Sequence, residues 1–369
     1  MKRLNKKRRA RLIRLMHYRR RYAARIRRQR REDKLRYARS DGISRIPAPV
    51  LFSLEGSGPR LLLDFIRRVR QAAECGHFGL IEIDFRSTEK MVADGTLYFL
   101  ANLEMLKKQY PRLSFGMRRP SDAIVMQVLY QVGIAALLGR GRGNDRNSFH
   151  KNVRHWHAAS GCKVNAKDAE NVFGSFEGKI TPELSRSVYT GITEAMTNCH
   201  HHAYEGTNIE EGSQKWWLFS REWSEAGKSE LQVLFCDLGI GIPASLYRES
   251  DQVDAGWYTR LTDWFKTHLP NGRKPNDALK IKAAVEIGQT RTKLKNRGKG
   301  LKQMVGFLDQ LGDNQSRVTI FSGAGVYRRA PKNGKPTEYT HALCTGKSTP
   351  IRGTLINWSI PLPLKGLDI

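Results

Sequence analysis

Leu184–Tyr204 reads LSRSVYTGITEAMTNCHHHAY. Glu194, Asn198 and His202 recur every four residues, so on a helix they stack on one face. Val188, Ile192, Ala195, Met196 and Cys199 form a separate apolar stripe. Such a helix docks its stripe on a sheet and turns a carboxylate and an amide towards a cleft. By itself the pattern equally describes an ordinary amphipathic helix with a solvated face, so the segments that follow it have to decide.

Lys215–Trp223 and Leu231–Phe235 are two apolar runs separated by the turn-like EAGKS and read as a hairpin of strands. The second runs into Asp237-Leu238-Gly239-Ile240-Gly241-Ile242-Pro243. An aspartate closing a buried strand, with two glycines behind it, sets a carboxylate beside backbone that another group can approach closely. A long stretch rich in Lys, Arg, Trp and Tyr then reaches Asn296-Arg297-Gly298-Lys299-Gly300-Leu301, which opens an apolar-periodic helix over Leu301–Leu311. Glycines at a helix N-terminus offer free amides and the positive end of the dipole to phosphate. Arg317–Phe321, Tyr339–Cys344 and Thr354–Ile360 read as strands, the last opened by Gly353-Thr354.

Taken in this order, ExxxNxxxHA, DxGxGI, GKGL and a terminal GT strand resemble the Bergerat-type ATP-binding domain of the GHKL superfamily, over about residues 180–362. The resemblance implies ATP and Mg²⁺ as ligands and a mixed sheet covered by helices, with residues 244–297 as a lid. It makes Asn198 the magnesium ligand, for which an amide oxygen suits a hard cation. Glu194 would orient or deprotonate water. Asp237 would accept the adenine amino group with support from Thr354, and Gly239 and Gly241 would let the base lie on backbone. Arg297, Gly298, Lys299, Gly300 and Leu301 would close over the phosphates.

Upstream lies a compact alternation of strands and helices: Val50–Leu54, Leu61–Cys75, Gly79–Phe85, Gly95–Tyr110, Leu113–Met117 and Asp122–Val132. The strand ending in Asp84, followed by Asp94-Gly95-Thr96 opening an apolar helix, is similar to the STAS domain of bacterial anti-anti-sigma regulators. That family often carries a phosphorylated serine at this helix start. Asp94 and Gly95 stand there instead, with Asp94 read as a helix cap and Thr96 as the candidate acceptor of a phosphoryl group. The resemblance implies a protein-binding surface.

The formal net charge is +29. Residues 1–40 hold 19 Lys and Arg against Glu32 and Asp33, a net of +17 that leaves +12 for the rest. Leu15, Tyr18, Tyr22 and Ile26 recur at helical spacing within this arm, which is expected to be a basic helix or a disordered segment. Arg8, Arg9, Arg19, Arg20, Arg21, Arg25, Arg27 and Arg28 are the candidate contacts to nucleic-acid phosphates. An anionic membrane and an acidic protein remain alternative partners.

The expected organisation is thus an α/β chain of the α+β sandwich type. An arm spans 1–45, a STAS-like domain 46–140, a connecting region 141–180 and an ATP-binding domain 181–369. His150, His155 and His157 in the connecting region, with Cys162, match no zinc pattern. No run of eighteen apolar residues and no signal-peptide core occurs, so a cytoplasmic location without a membrane span is expected; a homo-oligomer stays open. Three functions remain open: an ATP-driven switch or ATPase, an anti-sigma-type protein serine/threonine kinase fused to its STAS-like regulator, and a non-catalytic nucleic-acid-binding scaffold.

Overall fold

The computed structural model describes residues 42–76, 78–141, 148–154, 156–164, 172, 182–207, 209–225, 228–247, 255–269, 273–287, 305, 316–333, 335–344 and 350–362. Residues 1–41 of the basic arm and the segment Arg297–Leu301 lie outside these residues, and the last residues assigned to the arm belong to a strand, Ile43–Pro47. The architecture is mixed α and β, and no helix among the described residues is long and apolar enough to cross a membrane.

The first unit is a three-stranded parallel sheet in the order β1 (Ile43–Pro47), β3 (Leu80–Asp84), β5 (Ser114–Arg118). A small parallel pair, β2 (Leu51–Phe52) with β4 (Lys90–Met91), lies beside it. Parallel neighbours need crossover connections, and helices supply them: α1 (Pro59–Glu74) before β3 and α2 (Ala93–Gln109) before β5. A third helix, α3 (Ala123–Gln131), begins at Asp122, whose carboxylate accepts the backbone N–H groups of Ile124 and Val125 at 2.8 and 3.0 Å.

The second unit is a seven-stranded sheet in the order β11-β10-β9-β12-β8-β7-β6. Its strands are β6 (His157–Gly161), β7 (Trp216–Glu225), β8 (Lys228–Asp237), β9 (Arg317–Gly323), β10 (Gly325–Lys332), β11 (Lys335–Ala342) and β12 (Ile351–Leu362). All of its pairings are antiparallel, not mixed as expected, because hairpins build it and β12 enters antiparallel to both β8 and β9. The connecting region contributes β6 to this sheet. Ala158-Ala159-Ser160-Gly161 lacks the apolar alternation that marks a strand, so pairing to β7 rather than composition makes it one.

One face of this sheet receives α4 (Pro182–Asn198), whose stripe Val188, Ile192, Ala195 and Met196 is buried with Trp216, Leu218, Phe235 and Ile320. Helix α6 (Asp277–Ile287) covers the β9–β11 end of the sheet, with Ile281 in the same core. Residues 277–287 fall inside the expected lid 244–297, yet they are packed as part of the body; Gly325 allows this, since a Cβ there would lie 2.3 Å from the Ala278 nitrogen. A shorter contact joins α6 to α5 (Ala255–His268).

The other face receives α2. This helix packs on α1 on one side and on β7, β8 and β12 on the other, which accounts for ADGTLYFLANL being buried residue after residue. A helix apolar all round is a core helix. Its Phe99 joins Phe52, Phe65 and Phe85 in an aromatic cluster with centroids 5.3–6.3 Å apart. The same core continues through Trp217, Phe219, Leu234, Phe321 and Leu355 of the large sheet.

Burial changes the reading of the α2 start. Val92 occupies the extended cap position, and Asp94 lies within the first turn, 2% exposed. Its Oδ1 accepts the N–H of Leu54, forty residues earlier, at 3.0 Å, so it ties a loop to the helix. Thr96 is fully buried and donates to the Val92 carbonyl at 2.7 Å, which rules out that hydroxyl as an accessible phosphoryl acceptor in this structure.

Candidate functional site

The site is a row of side chains at one end of the large sheet. Register puts Thr354 of β12 directly opposite Asp237 of β8, and Ser322 of β9 directly opposite Thr354. Alternation along each strand places all three on the face that carries α4, the face of Phe235, Ile356 and Ile320. Asp237 and Thr354 are therefore neighbours across the ladder, and Gly239 and Gly241 lie in the turn beside them.

Asp237 is 6% exposed. Its Oδ1 accepts the Gly239 N–H at 2.9 Å, closing the turn DLGIGIP. Burial pushes the carboxyl up to about 7, against the opposing pull of the Gly239 and Thr354 backbone N–H groups, which favour the ionised form. A carboxyl poised this way at the end of a buried strand is a candidate recognition group for a polar ligand.

Ser322 was not legible as a site residue, yet it organises the row. Its hydroxyl donates to the Gly353 carbonyl at 3.0 Å and accepts the Ile242 N–H at 2.9 Å. With that proton committed, the 3.1 Å contact to Thr354 Oγ1 is one in which Thr354 donates, leaving Thr354 Oγ1 free to accept.

The turn is seated on the end of α4. After Asn198 the helix widens into a single π-turn, Cys199–Ala203. The Ala203 carbonyl accepts the Ile240 N–H at 2.8 Å, and a Cβ on Gly239 would approach that oxygen to 2.0 Å. Gly241 is at φ +80°, and a Cβ there would lie 2.7 Å from Ser322 Oγ and 2.9 Å from the Gly353 carbonyl oxygen. The close approach these glycines permit is thus, in this structure, to the protein's own atoms, the Ala203 and Gly353 carbonyls and the Ser322 hydroxyl. Tyr204 completes the seat: its hydroxyl donates to the Lys215 carbonyl and its oxygen accepts the Leu238 N–H at 3.1 Å.

Glu194 and Asn198 lie one turn apart on α4, both half-buried, and Asn198 makes no side-chain cap bond to the turn that follows. An amide that makes no such bond is compatible with a ligand role. His202 leaves the register of these two, because a π-turn takes more residues per turn than the α-helix before it; its ring lies 6.2 Å from that of His201. Among the described residues no group of three or more His, Cys, Asp or Glu is placed to hold a metal ion, and His155 lies outside them. Arg297, Gly298, Lys299, Gly300 and Leu301, and the eight candidate arginines Arg8, Arg9, Arg19, Arg20, Arg21, Arg25, Arg27 and Arg28, also lie outside them. No protein-family model matches the chain, and no curated protein matches it.

Proposed function

We propose that this chain binds Mg-ATP in a Bergerat-type cleft between α4 and the strand ends of β8, β12 and β9, and hydrolyses it to switch a partner or nucleic-acid interface. The observation that carries this reading is the row Asp237–Thr354–Ser322, in which a buried carboxylate is fixed at a strand end beside a hydroxyl free to accept. Asp237 would accept the adenine amino group and so select adenine over guanine, with Thr354 Oγ1 accepting from an intervening water. The packing of α4 and α6 on one face of the large sheet supports this reading.

Asn198, whose side chain makes no capping bond to the turn that follows, would hold Mg²⁺, and the ion would supply charge neutralisation at the phosphates. Glu194, one helical turn before it, would orient water. The Gly298–Gly300 segment would close on the phosphates, and the arm would meet nucleic acid.

The buried Thr96 disfavours self-phosphorylation at that position and so favours water over the chain itself as acceptor. The test is to incubate the protein with Mg-ATP, with and without RNA, and to follow both free phosphate and phosphoprotein. Saturable ATP binding that is lost in Asn198→Ala, with free phosphate lost in Glu194→Ala, is expected. Undiminished ATP affinity in Asn198→Ala and Asp237→Ala would overturn the assignment.

A further inference from the structure

The ladder between β12 and β9 slips at one place. Ile351 faces Gly323, while the next paired residue of β12, Thr354, faces Ser322. Arg352 and Gly353 are therefore extra residues, forming a bulge beside Asp237. Gly353 is at φ +76°, and a Cβ there would lie 2.0 Å from the Asp237 carbonyl oxygen, so the bulge bears directly on the residue at the centre of the site.

Backbone groups expelled from a ladder need other partners when they are buried. The Gly353 carbonyl finds Ser322. The Arg352 N–H finds the hydroxyl oxygen of Tyr98, at 2.8 Å, on α2 of the first unit and 254 residues earlier in the chain. Tyr98 is 2% exposed, so the bond is made by a buried side chain.

A second line runs from the same helix to the other flank of the turn. Glu104 accepts Trp217 Nε1 at 2.9 Å and pairs with Lys215 Nζ at 3.2 Å. The Lys215 carbonyl accepts the hydroxyl of Tyr204, whose oxygen receives the Leu238 N–H. Both flanks of the Asp237 turn thus lead back to α2.

We infer that Tyr98 is a positioning residue of the site: its hydroxyl fixes the bulge that aims Gly353 and Thr354 at Asp237, making the first unit part of the site's frame. For its ligand this inference rests on the nucleotide reading above; its geometry does not depend on that reading.

The experiment compares Tyr98→Phe with Thr96→Val in the full chain. Thr96 is a matched control, since its hydroxyl sits buried on the same helix but bonds only to that helix. Without ligand, amide exchange at Arg352 is expected to quicken in Tyr98→Phe and to stay unchanged in Thr96→Val. With ligand, Tyr98→Phe is expected to weaken Mg-ATP about fivefold, the loss of one hydrogen bond, while Thr96→Val binds as the parent does. Unchanged exchange at Arg352 in Tyr98→Phe, or an equal loss of affinity in both variants, overturns the inference. A parent protein that binds no Mg-ATP defeats the nucleotide reading alone, and the exchange measurement still decides whether Tyr98 holds the bulge. Glu104→Gln gives a second readout at the Leu238 amide, expected to exchange faster.

Discussion

The carboxylate of Asp237 accepts the backbone N–H of Gly239, two residues further on, at 2.9 Å, and so defines the turn on which the proposed site stands. Its buried carboxyl, pushed up to about 7, titrates within the range where proteins work. An ionised carboxylate is the better acceptor for an amino group, so Mg-ATP affinity is expected to rise between pH 6 and 8 and level off above. Calorimetric titration across that range checks this, and Asp237→Asn should give weak binding without the rise.

The same residue makes an opposite prediction for stability. The folded carboxyl holds its proton more tightly than the unfolded chain's, whose ordinary value is 3.8. It therefore favours folding below about pH 4, and that contribution, up to about 4 kcal/mol, is lost as pH rises through about 7. Urea unfolding without nucleotide should show Asp237→Asn gaining on the parent protein as pH is raised from 4 to 8. A constant difference would show that the carboxyl is not perturbed.

Ser322→Ala should cost more than its size suggests. The hydroxyl serves the Ile242 N–H, the Gly353 carbonyl and Thr354 Oγ1 together. Its removal leaves buried backbone groups without partners, a loss of about 2–3 kcal/mol. Thr354→Val removes a donor but leaves those backbone bonds in place, and about 1 kcal/mol is expected. Denaturant midpoints of the two variants decide the order.

Why Ser322 escaped the sequence while Asp237 did not is a matter of where the information lies. Asp237, Gly239 and Gly241 are neighbours in the chain, and their spacing encodes a turn by itself. A lone serine ending the apolar run of β9 becomes functional only through its register with Thr354 and its contact with Gly353, both remote in sequence. The buried stripe of α4 was legible from its helical period. The π-turn after Asn198 was not, since no residue type forces one, and it moves His202 off the face that a straight helix would give it. For α2, the run LYFLANL announced burial, but only the packing on β7, β8 and β12 tells what covers it. Strand β10 was missed because Tyr327-Arg328-Arg329 breaks the alternation; Arg328 is taken up by Thr319 and by Glu55 of the first unit.

Asp94 offers a test of that packing away from the proposed site. Burial pushes its carboxyl up to about 6, with the nearby Glu55 adding to the effect. The folded state thus retains the proton and is favoured below about pH 4, and the contribution fades as pH rises through about 6. Asp94→Asn keeps an oxygen for the Leu54 N–H and removes the charge. It is expected to match the parent protein near pH 4 and to be more stable at pH 8, by up to about 3 kcal/mol. Thermal unfolding at the two pH values measures this, and a destabilised variant at pH 8 would mean that the ionised form is the one the fold prefers.

Gly239→Ala separates a steric requirement from a ligand requirement. The backbone at Gly239 is not left-handed, so an alanine meets no φ penalty; what it meets is the Ala203 carbonyl oxygen at 2.0 Å from its Cβ. The π-turn and the Asp237 turn must then part, and the Ile240 bond to that same oxygen goes with them. A stability loss of about 1–3 kcal/mol is expected with no nucleotide present, together with faster exchange of the Ile240 amide. Gly116→Ala is the control, because its Cβ would meet only the tip of Leu80 at 3.4 Å. If Gly239→Ala unfolds like the parent protein and loses only nucleotide affinity, the glycine is there for the ligand. A loss of stability before any ligand is added places the requirement in the contact with Ala203.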